Sequence, residues 1–151
     1  MSLDQHNQSQ KSYLMGIDIG AGSLKTMIID LEGNVVGSAS KDIVTSSPHP
    51  RWSEQNPMDW WNAVKDTVPK SIAQAKIKAN EIAAISFSAG AHTPVLEDAN
   101  GELVRPAILW NDQRSGQETQ ELKDQHWDRI LEIGFNSPAP TWTLPQFLWL
   151  S

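Results

Sequence analysis

The chain has 151 residues, a formal net charge of −6 and no cysteine. This length allows one ordinary domain with an adequate core, and the missing thiols exclude disulfides, thiolate metal sites and a cysteine nucleophile. The negative charge and the lack of a basic run leave no electrostatic basis for binding nucleic acid or anionic lipid. No apolar run reaches the roughly 18 residues of a membrane span, so we expect a cytoplasmic protein.

The first third of the chain predicts short antiparallel strands. Residues 1–12 are polar, and we expect a disordered leader or a cloning remnant there. Residues 13–31 then form two β runs joined by a glycine turn, and the first run ends near Asp18. A third run over 35–39 follows a further turn, so the pattern predicts a three-stranded meander.

The glycine turn can bring backbone N–H groups close to an anion. It does not complete a P-loop, because Leu24 rather than glycine precedes Lys25. It does not complete the dinucleotide-binding fingerprint either, because no third glycine or helix follows Gly22. Two interpretations stay open. The hairpin offers an acid, several amides and a lysine to a nucleotide phosphate and its Mg²⁺, or its acid and glycines serve only the turn.

The middle of the chain predicts a change to β/α alternation. A helix is expected to begin at Pro57 and to kink or end at Pro69, and a buried strand over 82–88 should follow. Trp60 and Trp61 lie in this helix and are predicted to be core residues, with pocket lining as the alternative.

The last third is predicted to be less regular. A loop of small residues ends at His92, and Trp52 and Trp142 fall in loops, where aromatic rings are candidates for lining a pocket. The chain stops inside an apolar helix without a cap, which indicates that it is cut short. The other elements expected here are a strand over 93–96, an edge strand or irregular connection over 103–110, and helices over 115–123 and 144–150.

Four segments, in this order, resemble the FGGY family of carbohydrate kinases, and among them the xylulokinases most. They are GIDIGAGSLK (16–25), HPRWSEQNPMDWW (49–61), RPAILWNDQR (105–114) and TLPQFLWL (143–150). The resemblance implies an α/β, ribonuclease-H-like domain of the actin-like ATPase type. Its mixed sheet would hold the antiparallel meander and then β/α alternation, incomplete at the C-terminus. Residues 13–151 would be the first part of the kinase N-terminal domain, with ATP in a cleft between two such domains.

The resemblance also implies where ATP and Mg²⁺ bind. Asp18 resembles the acid that organises Mg²⁺ and water near the phosphates, so it is the predicted metal ligand. The residues that resemble the first phosphate loop are Gly20, Ala21, Gly22, Ser23 and Lys25. Phosphoryl transfer depends mainly on positioning and charge neutralisation, which such groups supply.

A second set of residues resembles the sugar-binding side of the family. His92, with Gly90 and Ala91, lies where xylulokinases carry the histidine of a sugar-facing loop, and an imidazole suits hydroxyl groups. The other predicted sugar contacts are Trp110 and Asp112, in a Trp-Asn-Asp-x-Arg segment, and Trp142. The alternatives are a structural histidine and a structural ion pair between Asp112 and Arg114.

The implied reaction is the ATP-dependent phosphorylation of a small-molecule sugar, with D-xylulose giving D-xylulose 5-phosphate. A gluconokinase or another polyol or ketose kinase is the alternative, since FSAGAH also resembles the gluconokinase segment. The family's general base is an aspartate expected downstream of Ser151, so no residue here is assigned that role. We therefore expect the chain alone to be inactive without the second kinase domain. The other classes considered are a fragment that binds only phosphate or sugar and an actin-like scaffold; a homodimer is a further expectation.

Overall fold

The computed structural model of the protein describes residues 12–151, so the predicted leader, apart from Ser12, lies outside the described residues. The chain forms two compact units. The sheet unit comprises the residues up to Asp42 together with Trp61–Ala89, and the loop unit comprises Ile43–Trp60 and Gly90–Ser151. The strands of the described chain are β1 (Tyr13–Ile19), β2 (Ser23–Ile29), β3 (Val35–Asp42), β4 (Glu54–Gln55), β5 (Ile82–Ala89) and β6 (Ala107–Ile108). The helices are α1 (Pro57–Ala75), α2 (Gly116–Gly134) and α3 (Thr143–Leu150), with a 3-10 turn over Ala79–Glu81.

The sheet unit contains a mixed four-stranded sheet in the order β3-β2-β1-β5. Strand β2 pairs antiparallel with both β1 and β3, while β5 pairs parallel with β1 after the crossover through α1. Both the predicted meander and the predicted β/α alternation are therefore present. Parallel neighbours need such a crossover, which explains why the helix lies between the two parts of the sheet in sequence.

One face of the sheet packs against α1. Ile17 and Thr26 are register partners on this face, and both are buried. The Thr67 hydroxyl of α1 donates to the Ala63 carbonyl at 2.9 Å, so the Thr26 hydroxyl is the donor in its 2.8 Å bond to Thr67. On β3, a Cβ at Gly37 would overlap the backbone of α1 at Ser71. Glycine is thus what allows the helix to approach β3 this closely.

Of the two outcomes predicted at Pro69, an end of the helix is wrong, because α1 continues through Pro69 to Ala75, and a kink stays a prediction. Pro69 is exposed, whereas Ala63, Thr67 and Ser71 are buried on both sides of it in sequence. A proline inside a helix removes one backbone hydrogen bond. Burial of the opposite face over several turns outweighs that local cost.

The prediction that β5 is buried is also wrong, since seven of its eight residues are exposed. Ile85 and Phe87 pair with the buried Met15 and Ile17 and so share the helix-facing side, yet they are 54% and 66% exposed. The contacts of α1 fall on β2 and β3, which leaves β5 uncovered at the edge of the sheet within the described residues.

The loop unit is built around a short antiparallel pair, β4 with β6, and the helices α2 and α3. The predicted strand over 93–96 does not form, and only an isolated bridge joins Glu97 to Leu103. Pro94 lacks the N–H that a ladder needs, which accounts for this difference. The exposed helix extends well beyond the predicted end, to Gly134.

The two tryptophans at the start of α1 have different environments. Trp60 is half-buried and donates its indole N–H to Gln55 at 2.8 Å. Trp61 is 55% exposed, so its assignment to the core is wrong. None of the helices in the described part of the chain is both long and apolar enough to cross a membrane.

Candidate functional site

An acid, a lysine and a serine form a row across three strands of the sheet unit. Asp18 of β1 is the register partner of Lys25 in β2 and of Ser88 in β5. Neighbouring strands lie about 4.8 Å apart, so these three side chains can act on one ligand. They border an open depression of about 270 Å³. Its lining residues are Gly16, Ile17, Asp18, Lys25, Met27, Ser86, Phe87 and Ser88.

The glycine turn beside this row is a short hairpin loop with residues 21 and 22 at its tip. The Gly20 N–H donates to the Ser23 carbonyl at 3.0 Å, so this amide closes the turn. Ala21 and Gly22 are exposed, and the space where a Cβ of Gly22 would lie is open. An anion that approaches the turn would therefore meet its tip and the Lys25 ammonium rather than the Gly20 amide.

The donor set around Asp18 fits a magnesium–phosphate complex better than a protein-only metal site. No group of three or more acidic or histidine side chains that could hold a metal occurs in residues 12–151. Mg²⁺ usually keeps several waters and binds through one or two carboxylates plus substrate phosphates. A single exposed carboxylate opposite a lysine matches that requirement.

A second depression, of about 230 Å³, lies in the loop unit around His92. His92 is exposed and adopts a left-handed backbone conformation, with φ of +52°. Its Nδ1 lies 3.0 Å from the Thr143 hydroxyl, and its ring is nearly parallel to Trp142, with centroids 6.2 Å apart. The lining residues are Gly90, Ala91, His92, Trp110, Thr141 and Trp142.

The structure thus brings together five of the six residues predicted to bind sugar. Gly90 approaches Trp110 closely, since an added Cβ would lie 3.4 Å from the indole Cδ1. Asp112, the sixth, is not among the lining residues that the structure describes. Trp52, predicted to line a pocket, borders neither depression.

Asp112 instead belongs to a buried ion-pair cluster. It accepts hydrogen bonds from the Ser53 N–H at 2.6 Å and from the Arg114 guanidinium at 2.8 and 2.9 Å. Arg114 also reaches Glu54 at 2.7 Å, and Glu54 accepts a further bond of 2.7 Å from Arg105. The side chains of Asp112 and Arg114 are each only 1% exposed. The structural interpretation of this pair therefore holds.

Two aromatic rings lie against the guanidinium of this cluster. Arg114 lies 3.7 Å above the Trp52 ring and 5.0 Å from that of Trp149, and the two indoles meet edge to face at 5.3 Å. These contacts connect β4, the turn after β6 and α3. The same turn carries Trp110, so the cluster fixes one wall of the His92 depression.

The cluster also shifts the pKa of its Asp112 carboxyl group. Burial alone would raise the pKa of Asp112, but hydrogen bonds from Arg114 and Ser53 and the charge of Arg114 outweigh it. The pKa of this carboxyl is therefore lowered below its usual value of 3.8.

Sequence reasoning did not assign a role to four hydroxyl-bearing residues, three that line these depressions and Thr143, which bonds His92. Ser86 and Ser88 alternate along β5, and the parallel pairing of β5 with β1 would have placed Ser88 beside Asp18. Thr141 and Thr143 carry no comparable signal, because their positions depend on how the loops around α3 pack.

Comparisons with known proteins identify the family and the fold. The sequence matches the N-terminal domain of the FGGY family of carbohydrate kinases over residues 13–151. It is 37% identical over 139 residues to the xylulose kinase of Lactococcus lactis subsp. lactis (strain IL1403), covering 92% of this chain and 28% of that protein.

Two crystal structures are similar in fold. A xyloylose kinase from Brucella ovis has a TM-score of 0.85 and 34% identity, covering 91% of this chain and 29% of that one. A gluconate kinase from Lactobacillus acidophilus has a TM-score of 0.83 and 26% identity, covering 91% and 28%.

These neighbours confirm the predicted actin-like, ribonuclease-H-like α/β fold. The chain spans about 28% of the length of the curated relatives it matches. The match over residues 13–151 shows that the chain belongs to the FGGY family of carbohydrate kinases.

Proposed function

We propose that the intact protein transfers the terminal phosphoryl group of ATP to D-xylulose, giving D-xylulose 5-phosphate. The observation that carries this proposal is the depression around His92. Its lining offers an exposed imidazole, a threonine hydroxyl and two indoles, but no lysine or arginine among the described residues. Such a surface suits a neutral polyol, because hydroxyls can bond the polar groups while C–H faces contact the indoles.

Gluconate is the second candidate substrate, and the fold similarity to the gluconate kinase from Lactobacillus acidophilus favours it. Its carboxylate would need a positive partner in the site. Arg105 and Arg114 are the arginines nearest in sequence to Trp110 of this depression, and both already form ion pairs. Arg105 pairs with Glu54, and Arg114 pairs with Glu54 and Asp112. A neutral ketose therefore fits the described surface better.

The proposed binding site for the phosphates of ATP is the row of Asp18, Lys25 and Ser88. Mg²⁺ bound with ATP would neutralise charge as the phosphoryl group moves. Asp18 would accept bonds from water on the metal or contact the metal itself, and Lys25 would pair with phosphate oxygens. The general base and most of the adenine contacts are proposed to come from the rest of the kinase, with residues 13–151 as the first part of its N-terminal domain.

The test is ADP production by the intact kinase with a panel of ketoses, polyols and gluconate. We expect turnover with D-xylulose, and a loss of about 100-fold or more in kcat for Asp18→Asn, since removing one charge-stabilising group in a transition state costs that much. Asp128→Asn, an exposed acid in α2, is the matched control and should leave turnover unchanged. Turnover only with gluconate would favour the second candidate, and no turnover with any sugar would refute the proposal.

A further inference from the structure

One hydrogen bond joins the candidate sugar-binding histidine to a residue 51 positions away in sequence. The Nδ1 of His92 lies 3.0 Å from the Oγ1 of Thr143, the first residue of α3. His92 is also one of four non-glycine residues with a positive φ in the described chain. Left-handed backbone is unfavourable for a side-chain-bearing residue, so tertiary contacts must hold this loop.

The geometry points to Thr143 as a positioning residue: we propose that its hydroxyl fixes the tautomer and orientation of His92, so that Nε2–H is presented to an oxygen of the substrate. This inference rests on the proposed sugar site and assigns the atom that recognises the sugar.

On this proposal the Thr143 hydroxyl is the donor. Thr67 and Thr119 lie inside helices and donate their hydroxyl protons to the carbonyl four residues earlier. For Thr143 that carbonyl belongs to Ala139, which precedes α3 and accepts the Trp142 N–H at 3.0 Å. The reverse direction, in which Nδ1–H donates to the Thr143 hydroxyl, corresponds to the other tautomer of His92 and is distinguished by the spectrum described below.

An accepting Nδ1 determines the other ring nitrogen. A neutral imidazole carries one proton, so a ring that accepts at Nδ1 carries it on Nε2. Nε2–H is a donor, and both the carbonyl and the hydroxyl oxygens of an open-chain ketose can accept from it. The Trp142 ring, adjacent to Thr143 in sequence, lies nearly parallel to the imidazole, with centroids 6.2 Å apart.

The experiment is long-range ¹⁵N–¹H correlation spectroscopy of the ¹⁵N-labelled 151-residue chain at pH 8, where imidazoles are generally neutral. This spectrum distinguishes the two tautomers without any sugar, and His92→Gln assigns the signal. We expect the Nε2–H form for the wild type and for Thr143→Ser, which keeps the hydroxyl. Thr143→Val should give a mixture of tautomers at an unchanged melting temperature.

Titration with D-xylulose in the same spectra gives the second measurement. Thr143→Val should weaken binding about 5- to 10-fold, the range expected for one hydrogen bond, while Thr143→Ser should bind like the wild type. A wild-type ring protonated on Nδ1, or a Thr143→Val spectrum equal to wild type, would overturn the role of Thr143. A fixed tautomer with no D-xylulose bound by any variant would overturn the sugar site instead.

Discussion

Arg114 is the residue on which the loop unit depends most. Its guanidinium bonds two carboxylates and lies near two indole rings, so each of its nitrogen atoms has a carboxylate partner. A buried charge costs several kcal/mol unless it is paired and hydrogen-bonded, and here both conditions are met. Removal of one partner should therefore have a large effect.

We predict that Asp112→Asn destabilises the chain by about 3 kcal/mol at pH 7, because it leaves Arg114 with one buried carboxylate instead of two. Urea unfolding followed by tryptophan fluorescence measures this. Asp98→Asn is the control, since Asp98 is exposed and hydrogen-bonds only within its own turn in the described structure.

The same substitution should change the dependence of stability on pH. The folded pKa of Asp112 is lower than its unfolded value near 3.8, so between these values the unfolded state binds more protons. The stability that the charged Asp112 contributes is fully present above its unfolded pKa and is lost as the pH falls through its folded pKa. The wild type should thus lose stability more steeply than Asp112→Asn below about pH 4. Parallel curves for the two proteins would contradict this.

At the level of elements, the contact between α1 and β3 depends on a missing side chain. A Cβ at Gly37 would overlap the Ser71 carbonyl and lie 2.9 Å from the Ala75 Cβ. The helix cannot move away without also breaking the buried Thr26–Thr67 hydrogen bond. A larger side chain at position 37 would therefore weaken the packing of α1 against the sheet.

We predict that Gly37→Ala destabilises the chain by about 1–3 kcal/mol, the usual cost of overpacking. Gly116→Ala is the matched control, because nothing lies within 4 Å of the added Cβ at the start of α2. Alanine there should be neutral or slightly stabilising. Equal effects of the two substitutions in urea unfolding would refute the packing explanation.

The elements also show how far the sequence alone was informative. The meander was predictable because apolar residues alternate along β1 and β2, and that period is a local property. A helix end at Pro69 and the burial of β5 were predicted wrongly, since both depend on where α1 packs. The Arg114 cluster joins residues far apart in sequence, and no local pattern encodes such contacts.

At the scale of the whole molecule, the candidate sites divide between the two units. The row of Asp18, Lys25 and Ser88 belongs to the sheet unit, and the His92 depression belongs to the loop unit. The glycine turn was indicated by its residues and by family resemblance, and the sugar-binding role of the His92 loop by resemblance. The parallel pairing of β5 with β1 adds Ser88, whereas Thr143 depends on the packing of α3, which no local pattern encodes.

The final prediction concerns the length of the chain relative to its relatives. Because residues 1–151 span about 28% of those proteins and no described residue is assigned as general base, we expect the chain to bind D-xylulose without turning it over. Calorimetric titration should detect binding that His92→Gln weakens. A coupled ADP assay should detect turnover only with the intact kinase. ADP production by the 151-residue chain at a comparable rate would show that it contains its own base, and would place the chemistry among the residues described here.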